Sequence, residues 1–301
     1  MNNLPRSVTI IEVGPRDGLQ NEKGFVPTER KIAFILALKR AGFREMEVTS
    51  FVSPKWVPQM KDAGKVAEAV ISEGDPGRNF ILVPNRKGVE RFRKTKAKAA
   101  AFFVGVSDTF NQKNINRTTE ESLHELAPVI KDLKAEGCFI RVCLSTAFYC
   151  PYEGKVPEEK TVRLAEAFAA LGADELSVAD TIGMASPDES YSLFKKLKES
   201  LPGLLLTAHF HDTRKMGLAN ILAALEAGIT RFDASAGGLG GCPFAPGATG
   251  NVATEDVVYM LERMGIRTNV DPEKVAEAVD RIVPYLSRPI ESAYYRLRQG
   301  G

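Results

Sequence analysis

Two of the chain's three histidines stand two residues apart, at His209 and His211, where an apolar run from Leu204 ends. On a strand, residues i and i+2 point to one face, so both imidazoles can converge on a single ion. Nitrogen ligands joined by a carboxylate, with positions left open, suit a divalent metal. Two unrelated histidines at a rim are the plainer alternative. Asp212 follows directly, but alternation turns it away, and a helix N-cap role is expected for it. The best carboxylate partner is Asp17, in Gly14-Pro15-Arg16-Asp17-Gly18-Leu19-Gln20; a local turn pair between Arg16 and Asp17 is the alternative. A third candidate is the stretch 236–251, with six glycines and two prolines in sixteen residues. Such a composition predicts a loop with a few fixed bends that can close over a site and exclude water. No Gly-Lys-Ser/Thr follows it, which argues against a phosphate cradle. Cys242 lies near its middle, where a thiol could give or take a proton.

These residues need elements to hold them. Apolar or β-branched runs recur at Val8–Val13, Glu45–Ser50, Phe80–Val83, Ala100–Val106, Phe139–Leu144, Glu175–Ala179, Leu204–Phe210 and Arg231–Ala236. Helical spacing follows over Thr28–Ala41, Met60–Ser72, Thr119–Glu136, Pro157–Leu171, Pro187–Ser200, Thr213–Ala227 and Thr254–Met264. Eight strands interleaved with helices predict an α/β chain folded as a (β/α)8 TIM barrel over about residues 8–266, with C-terminal helices over about 271–301, as one domain. A doubly wound open sheet would have fewer strands, and no G-x-G-x-x-G follows the first strand. In a barrel, chemistry gathers at the C-terminal ends of strands. The candidates fall there, as do Ser107-Asp108, Ser145-Thr146 and Asp180-Thr181.

Composition narrows the class. Of 301 residues, 44% are hydrophobic and 26% charged, an ordinary globular balance. A net charge of +2 is too small for a nucleic-acid groove. The basic run Arg91-Phe92-Arg93-Lys94-Thr95-Lys96-Ala97-Lys98 is expected to be a solvated helix end, with an anionic ligand or partner as the alternative. The four cysteines, Cys138, Cys143, Cys150 and Cys242, form no CxxC pair, and free thiols in a reducing compartment are the simplest reading. Cys138 and Cys143 belong to a core strand, while Cys150 could be core or loop. No signal peptide and no membrane span are expected, which leaves the cytoplasm by default. A homodimer is the commonest closed assembly, and the helices past 271 could form one.

Six motifs together resemble the 3-hydroxy-3-methylglutaryl-CoA lyase family of TIM-barrel metallolyases. They are Glu-Val-Gly-Pro-Arg-Asp-Gly-Leu-Gln-Asn-Glu (12–22), Thr-Ser-Phe-Val-Ser-Pro-Lys-Trp-Val-Pro-Gln-Met (49–60), Cys-Pro-Tyr-Glu-Gly (150–154), Asp-Thr-Ile-Gly (180–183), His-Phe-His-Asp-Thr (209–213) and the Cys242 loop through Asn-Val-Ala-Thr-Glu-Asp (251–256). The resemblance runs from about Ile10 to about Ile266. It implies Mg²⁺ or Mn²⁺ held by Asp17, His209, His211 and Asn251. It further implies Arg16 as the cation facing the enolate of departing acetyl-CoA, Glu47 as the residue orienting the cluster, Cys242 as the acid that protonates the carbanion, and Gln20 as a substrate contact. The reaction implied is retro-Claisen cleavage to acetyl-CoA and acetoacetate, as in ketone-body formation and leucine breakdown. A base must take the tertiary hydroxyl proton, and Asp17 or a metal-bound water could do so.

One stretch departs from the family. Where Tyr-Gly-Gln-Ala is common, this chain has Arg214-Lys215-Met216-Gly217. Two cations at the first turn of a helix near the metal could select another acyl group, such as a citramalyl or longer-chain 3-hydroxyacyl-CoA, or could simply be solvated. Related condensing enzymes of the same barrel group share the Arg-Asp pair and the His-x-His, but lack the Gly-Gly-Cys-Pro loop. A non-catalytic metal- or CoA-binding barrel is the reading from outside the enzymes.

Overall fold

The computed structural model describes residues 4–75, 77–241 and 250–300. Eight strands run parallel and close on themselves in chain order: β1 (Thr9–Glu12), β2 (Glu45–Ser50), β3 (Arg78–Leu82), β4 (Ala99–Gly105), β5 (Phe139–Ser145), β6 (Glu175–Asp180), β7 (Leu205–Phe210) and β8 (Arg231–Ala234). β8 pairs with β1, with Glu12 beside Ala234, and this completes the (β/α)8 barrel read from the sequence.

Around it lie α1 (Thr28–Ala41), α2 (Ala63–Val70), α3 (Arg86–Phe92), α4 (Asp108–Ile115), α5 (Thr119–Ala135), α6 (Glu158–Ala170), α7 (Pro187–Ser200), α8 (Gly217–Glu226) and α9 (Thr254–Arg263). Local sequence sets their starts. Thr118 with Glu121, and Ser186 with Glu189, form reciprocal capping boxes at α5 and α7. Two further helices, α10 (Pro272–Asp280) and α11 (Ala293–Gln299), follow the barrel, and α10 packs against α1 and α9. No helix among the described residues is long and apolar enough to cross a membrane.

Several boundaries differ from those expected, each for a local reason. The helix after β7 begins at Gly217 rather than Thr213, because Lys215 adopts φ 58, a left-handed conformation that no helix continues through. The N-cap is therefore Met216 and not Asp212, although Asp212 Oδ1 accepts from the Gly217 amide at 2.9 Å. β8 ends at Ala234, where Ala236–Gly238 turns tightly with Gly237 at φ 70. α3 and α4 add two short helices to those expected. The basic run 91–98 does sit at the end of α3, with Arg93 paired to the exposed Glu136. Cys138, Cys143 and Cys150 are all buried free thiols.

The barrel interior has two unlike halves. β1, β3 and β4 supply Ile11, Val13, Phe80, Leu82, Ala99 and Ala101, a small apolar cluster separate from the main core. β2 and β5–β8 instead bury polar residues at alternate positions: Glu45, Glu47 and Thr49; Arg141, Cys143 and Ser145; Glu175 and Ser177; Thr207 and His209; Arg231 and Asp233. Period-two alternation sends each set to one face of its strand. The guanidinium of Arg141 lies 5.2 Å from the centre of the Phe80 ring, where the two halves meet.

Candidate active site

The β1 loop is built around one carbonyl. Val13 O accepts the amides of Arg16, Asp17 and Gly18, and Leu19 N–H reaches back to Gly14 O, widening the turn beyond α-helical spacing. Glycine is required at both ends of this turn. A Cβ on Gly14 would stand 2.6 Å from Glu12 Oε1, and one on Gly18 would stand 2.9 Å from Leu239 Cβ and Ser235 Oγ. The loop thereby presses against the end of β8 and presents Arg16 and Asp17 inward.

At the end of β7, His209 and His211 share a face, with ring centres 5.3 Å apart. Candidate ligand atoms of Asp17, His209 and His211 all lie within 4.8 Å of one another. Asn251 joins them because residues 250–252 pair with the end of β7: Asp212 N–H donates to Gly250 O and Val252 N–H to Phe210 O, at 3.1 and 3.0 Å. Its Nδ2 donates to Asp17 Oδ2 (2.9 Å) and to Leu239 O (3.0 Å). Its Oδ1 is buried with no hydrogen-bond partner, an arrangement that native structures rarely leave uncompensated. Two imidazoles, a carboxylate and an amide oxygen form a donor set suited to a divalent metal.

Electrostatics point the same way. Burial opposes ionisation of Asp17, but the charges of Arg16, His209 and His211 and the Asn251 hydrogen bond outweigh it and hold the carboxyl below its usual range. Burial likewise works against a charged His209, yet the Asp233 hydrogen bond and the charges of Asp233 and Asp17 raise its pKa. Ion pairs join Arg16, Arg141 and Arg231 to Asp17, Glu45, Glu47, Glu175 and Asp233 inside the barrel. Arg78 adds a fourth guanidinium, its Nη1 donating to Glu45 Oε1 at 2.8 Å.

Arg16 is fixed by two carboxylates. Its Nε donates to Glu47 Oε2, and its Nη1 donates to Asp17 Oδ1 at 2.7 Å. A guanidinium carries five N–H groups, so protons remain for a ligand on this otherwise buried cation. Gln20 is half-buried, and its Oε1 is buried without a partner. The structure thus brings Arg16, Asp17, Glu47, His209, His211 and Asn251 to one place. Cys242 and the loop from 242 to 249 lie outside the described residues. Beside the site, burial pushes the carboxyl of Asp180 up to about 6, although the amides of Met184 and Ala185 donate to it.

Arg214 and Lys215 bind groups other than the ligand side chains. Arg214 Nη1 donates to the carbonyls of Ile182 and Gly183 at 3.0 and 3.1 Å, tying the β6 and β7 loops together. Lys215 is exposed and lies 3.5 Å from Asp212 and 3.4 Å from Glu291.

The sequence reading missed the residues beneath the site. Asp233 Oδ2 lies 3.1 Å from His209 Nδ1, which leaves Nε2 of that ring for the ion. Arg141, Glu175 and Ser177 lie below Asp233, and Glu12 and Glu255 hold the start of the glycine-rich segment. The signal available was the run of polar residues at alternate positions in otherwise apolar strands.

A family model described as HMGL-like matches residues 7–282. The chain is 48% identical to a hydroxymethylglutaryl-CoA lyase of Bacillus subtilis over 289 residues, which are 96% of each chain. A crystal structure of a B. subtilis HMG-CoA lyase superposes with a TM-score of 0.94 at 47% identity, covering 98% of this chain and 99% of that one. An HMG-CoA lyase from Acinetobacter baumannii, solved in complex with coenzyme A and 3-methylmalate, gives a TM-score of 0.92 at 36% identity, covering 98% and 96%.

Proposed function

The chain belongs to the HMGL-like family and is a carbon–carbon lyase that cleaves 3-hydroxy-3-methylglutaryl-CoA, and we propose that it does so at a divalent-metal centre held by Asp17, His209, His211 and Asn251. The observation that carries this reading is the convergence of the three ligand side chains, with the orphaned Asn251 Oδ1 beside them. The family resemblance implies Mg²⁺ or Mn²⁺, whose preference for oxygen donors the Asp17 carboxylate and the Asn251 amide oxygen meet. When bound, it supplies Lewis acidity to the oxygens of the substrate's 3-hydroxyl and carboxylate.

The side chains do the rest. Cleavage breaks the bond between C2 and C3. The hydroxyl proton passes to a base, Asp17 or water at the centre, the C3 oxygen becomes the ketone of acetoacetate, and the electron pair of the C2–C3 bond passes to C2 of the departing thioester. Arg16 meets the negative charge that develops on the thioester oxygen. Its plane is set beforehand by Glu47 and Asp17, so little reorganisation accompanies the step. Asp17 is held ionised below its usual range, which suits a ligand better than a base of near-neutral pKa. Cys242 donates the proton that converts the C2 carbanion into the methyl group of acetyl-CoA. Gln20, half-buried in the β1 loop, contacts the substrate.

The 48% identity to a hydroxymethylglutaryl-CoA lyase over 96% of each chain favours this substrate over a different acyl group. The complex of the Acinetobacter relative with coenzyme A supports an acyl-CoA in this site. The buried free thiols fit a reducing cytoplasm, and the products fit leucine breakdown. The test is acetyl-CoA release from 3-hydroxy-3-methylglutaryl-CoA by the purified protein with Mg²⁺ or Mn²⁺, repeated after chelation. Metal-dependent release is expected; release that survives complete chelation would sink the metal assignment.

A further inference from the structure

Arg141 is fully buried at the centre of the barrel, and its guanidinium is spent on three carboxylates. Nη1 donates to Glu175 Oε1 at 2.7 Å, and Nη2 donates to both oxygens of Asp233. Nε approaches Glu47 Oε1 at 3.4 Å, an ion pair without hydrogen-bond alignment. Two of these partners touch the reaction centre directly. Asp233 Oδ2 faces His209 Nδ1, and Glu47 Oε2 takes the Nε–H of Arg16. Arg16 in turn holds Asp17. From Arg141, one arm runs through Asp233 to His209, and the other through Glu47 and Arg16 to Asp17. The two arms meet at the ligand set.

We propose that Arg141 is a positioning residue for both halves of the centre, the metal ligands and the guanidinium that faces the thioester. It rests on the metal-lyase reading and adds to it a residue that touches neither ion nor substrate. The physical argument is one of shared geometry. Asp233 can present an oxygen to His209 only where Arg141 and Ser177 hold it, Ser177 Oγ donating at 2.7 Å. Glu47 is shared by Arg16, Arg141 and Cys143, whose Sγ donates to Oε1 at 3.7 Å. The planar fork of arginine serves the three carboxylates in fixed directions, which the single ammonium of lysine cannot do. Outer partners of this kind fix a ligand's orientation and its basicity.

The experiment compares the parent with R141K and with R141M/E175Q. The double variant removes one cation and one anion together, so the net buried charge is unchanged, while Asp233 keeps Ser177 and His209 and Arg231 keeps Glu45. R231K is the control. Arg231 pairs with the same Glu175 (3.0 Å) and with Glu45, but does not reach the ligand set. The readouts are Mn²⁺ affinity by electron paramagnetic resonance without substrate, kcat and KM with saturating metal, and Tm. R141K and R141M/E175Q should each weaken Mn²⁺ binding by roughly 10- to 100-fold. With metal saturating, kcat should still fall by about 100-fold, the usual cost of a displaced reacting group. R231K should lower Tm and leave Mn²⁺ affinity unchanged. Parent-like Mn²⁺ affinity and kcat in folded R141K, or in R141M/E175Q should R141K not fold, would overturn the proposal. If the parent itself binds no Mn²⁺ and releases no acetyl-CoA, the metal-lyase reading has failed.

Discussion

Asn251 Nδ2 donates to Asp17 Oδ2 across 2.9 Å, joining side chains 234 positions apart. The contact does more than link two loops. With Nδ2 also committed to Leu239 O, the amide cannot rotate, and its Oδ1 is the end left without a partner. Asn251→Ala should therefore remove a ligand and at the same time loosen Asp17. Mn²⁺ affinity should drop at least about 10-fold, read by electron paramagnetic resonance on the folded variant. An unchanged affinity would show that Asn251 only ties the loops.

His209→Ala should abolish stoichiometric metal binding. It should also lower Tm, because Asp233 loses one of its buried partners while keeping Arg141 and Ser177. Metal content after dialysis, alongside thermal unfolding, separates the two effects. Full metal occupancy in this variant would move the site away from β7.

Cys242→Ala should keep the fold and the bound metal but reduce turnover by roughly 10²–10⁴-fold, the usual worth of a general acid. Steady-state kinetics and metal analysis on one preparation test this. Full activity would remove the acid role.

The sequence made legible what stood at the strand ends. His209 and His211 were readable because alternation alone puts them on one face, and Arg16-Asp17 because it follows a strand directly. What lay inside the strands was harder to read. Phe139-Ile140-Arg141-Val142-Cys143-Leu144 looks like an apolar strand with one misplaced charge, since an arginine is almost never fully buried unless paired. Its partners Glu175 and Asp233 come from strands far along the chain, and only closure of the barrel brings the three together. The start of the helix after β7 was misjudged for a different reason: nothing in the residue type of Lys215 announces φ 58.

That same turn decides what Arg214 does. Its guanidinium donates through Nη1 to two carbonyls of the β6 loop. Arg214→Ala should cost about 1 kcal/mol of stability, the usual net worth of such hydrogen bonds. The ratio of kcat/KM between 3-hydroxy-3-methylglutaryl-CoA and longer-chain analogues should not move. A changed ratio would restore Arg214 as a specificity residue.

The pH dependence of stability should carry the mark of Glu12. Burial pushes its carboxyl from 4.5 up to about 7, against hydrogen bonds from the Ala236 amide, the Thr254 hydroxyl and the Gly14 amide. Between those two values the folded protein keeps a proton that the unfolded chain has released. Stability therefore falls as pH rises through this window, and the loss is complete above the folded value. A shift of that size corresponds to on the order of 3 kcal/mol. Glu255, raised to about 8 mainly by burial, acts with the same sign. Glu12→Gln offers an Oε1 to the same two amides and an Nε2 that can donate to Thr254 once its hydroxyl turns. The variant should thus lose the Glu12 part of the slope and retain the Glu255 part. Thermal unfolding in the presence of chelator, from about pH 5.5 to about pH 8.5, should show a flatter profile for Glu12→Gln than for the parent, with the two diverging most at the alkaline end. Parallel profiles would mean that Glu12 is ionised in the native state throughout that range, and that its three hydrogen bonds outweigh its burial.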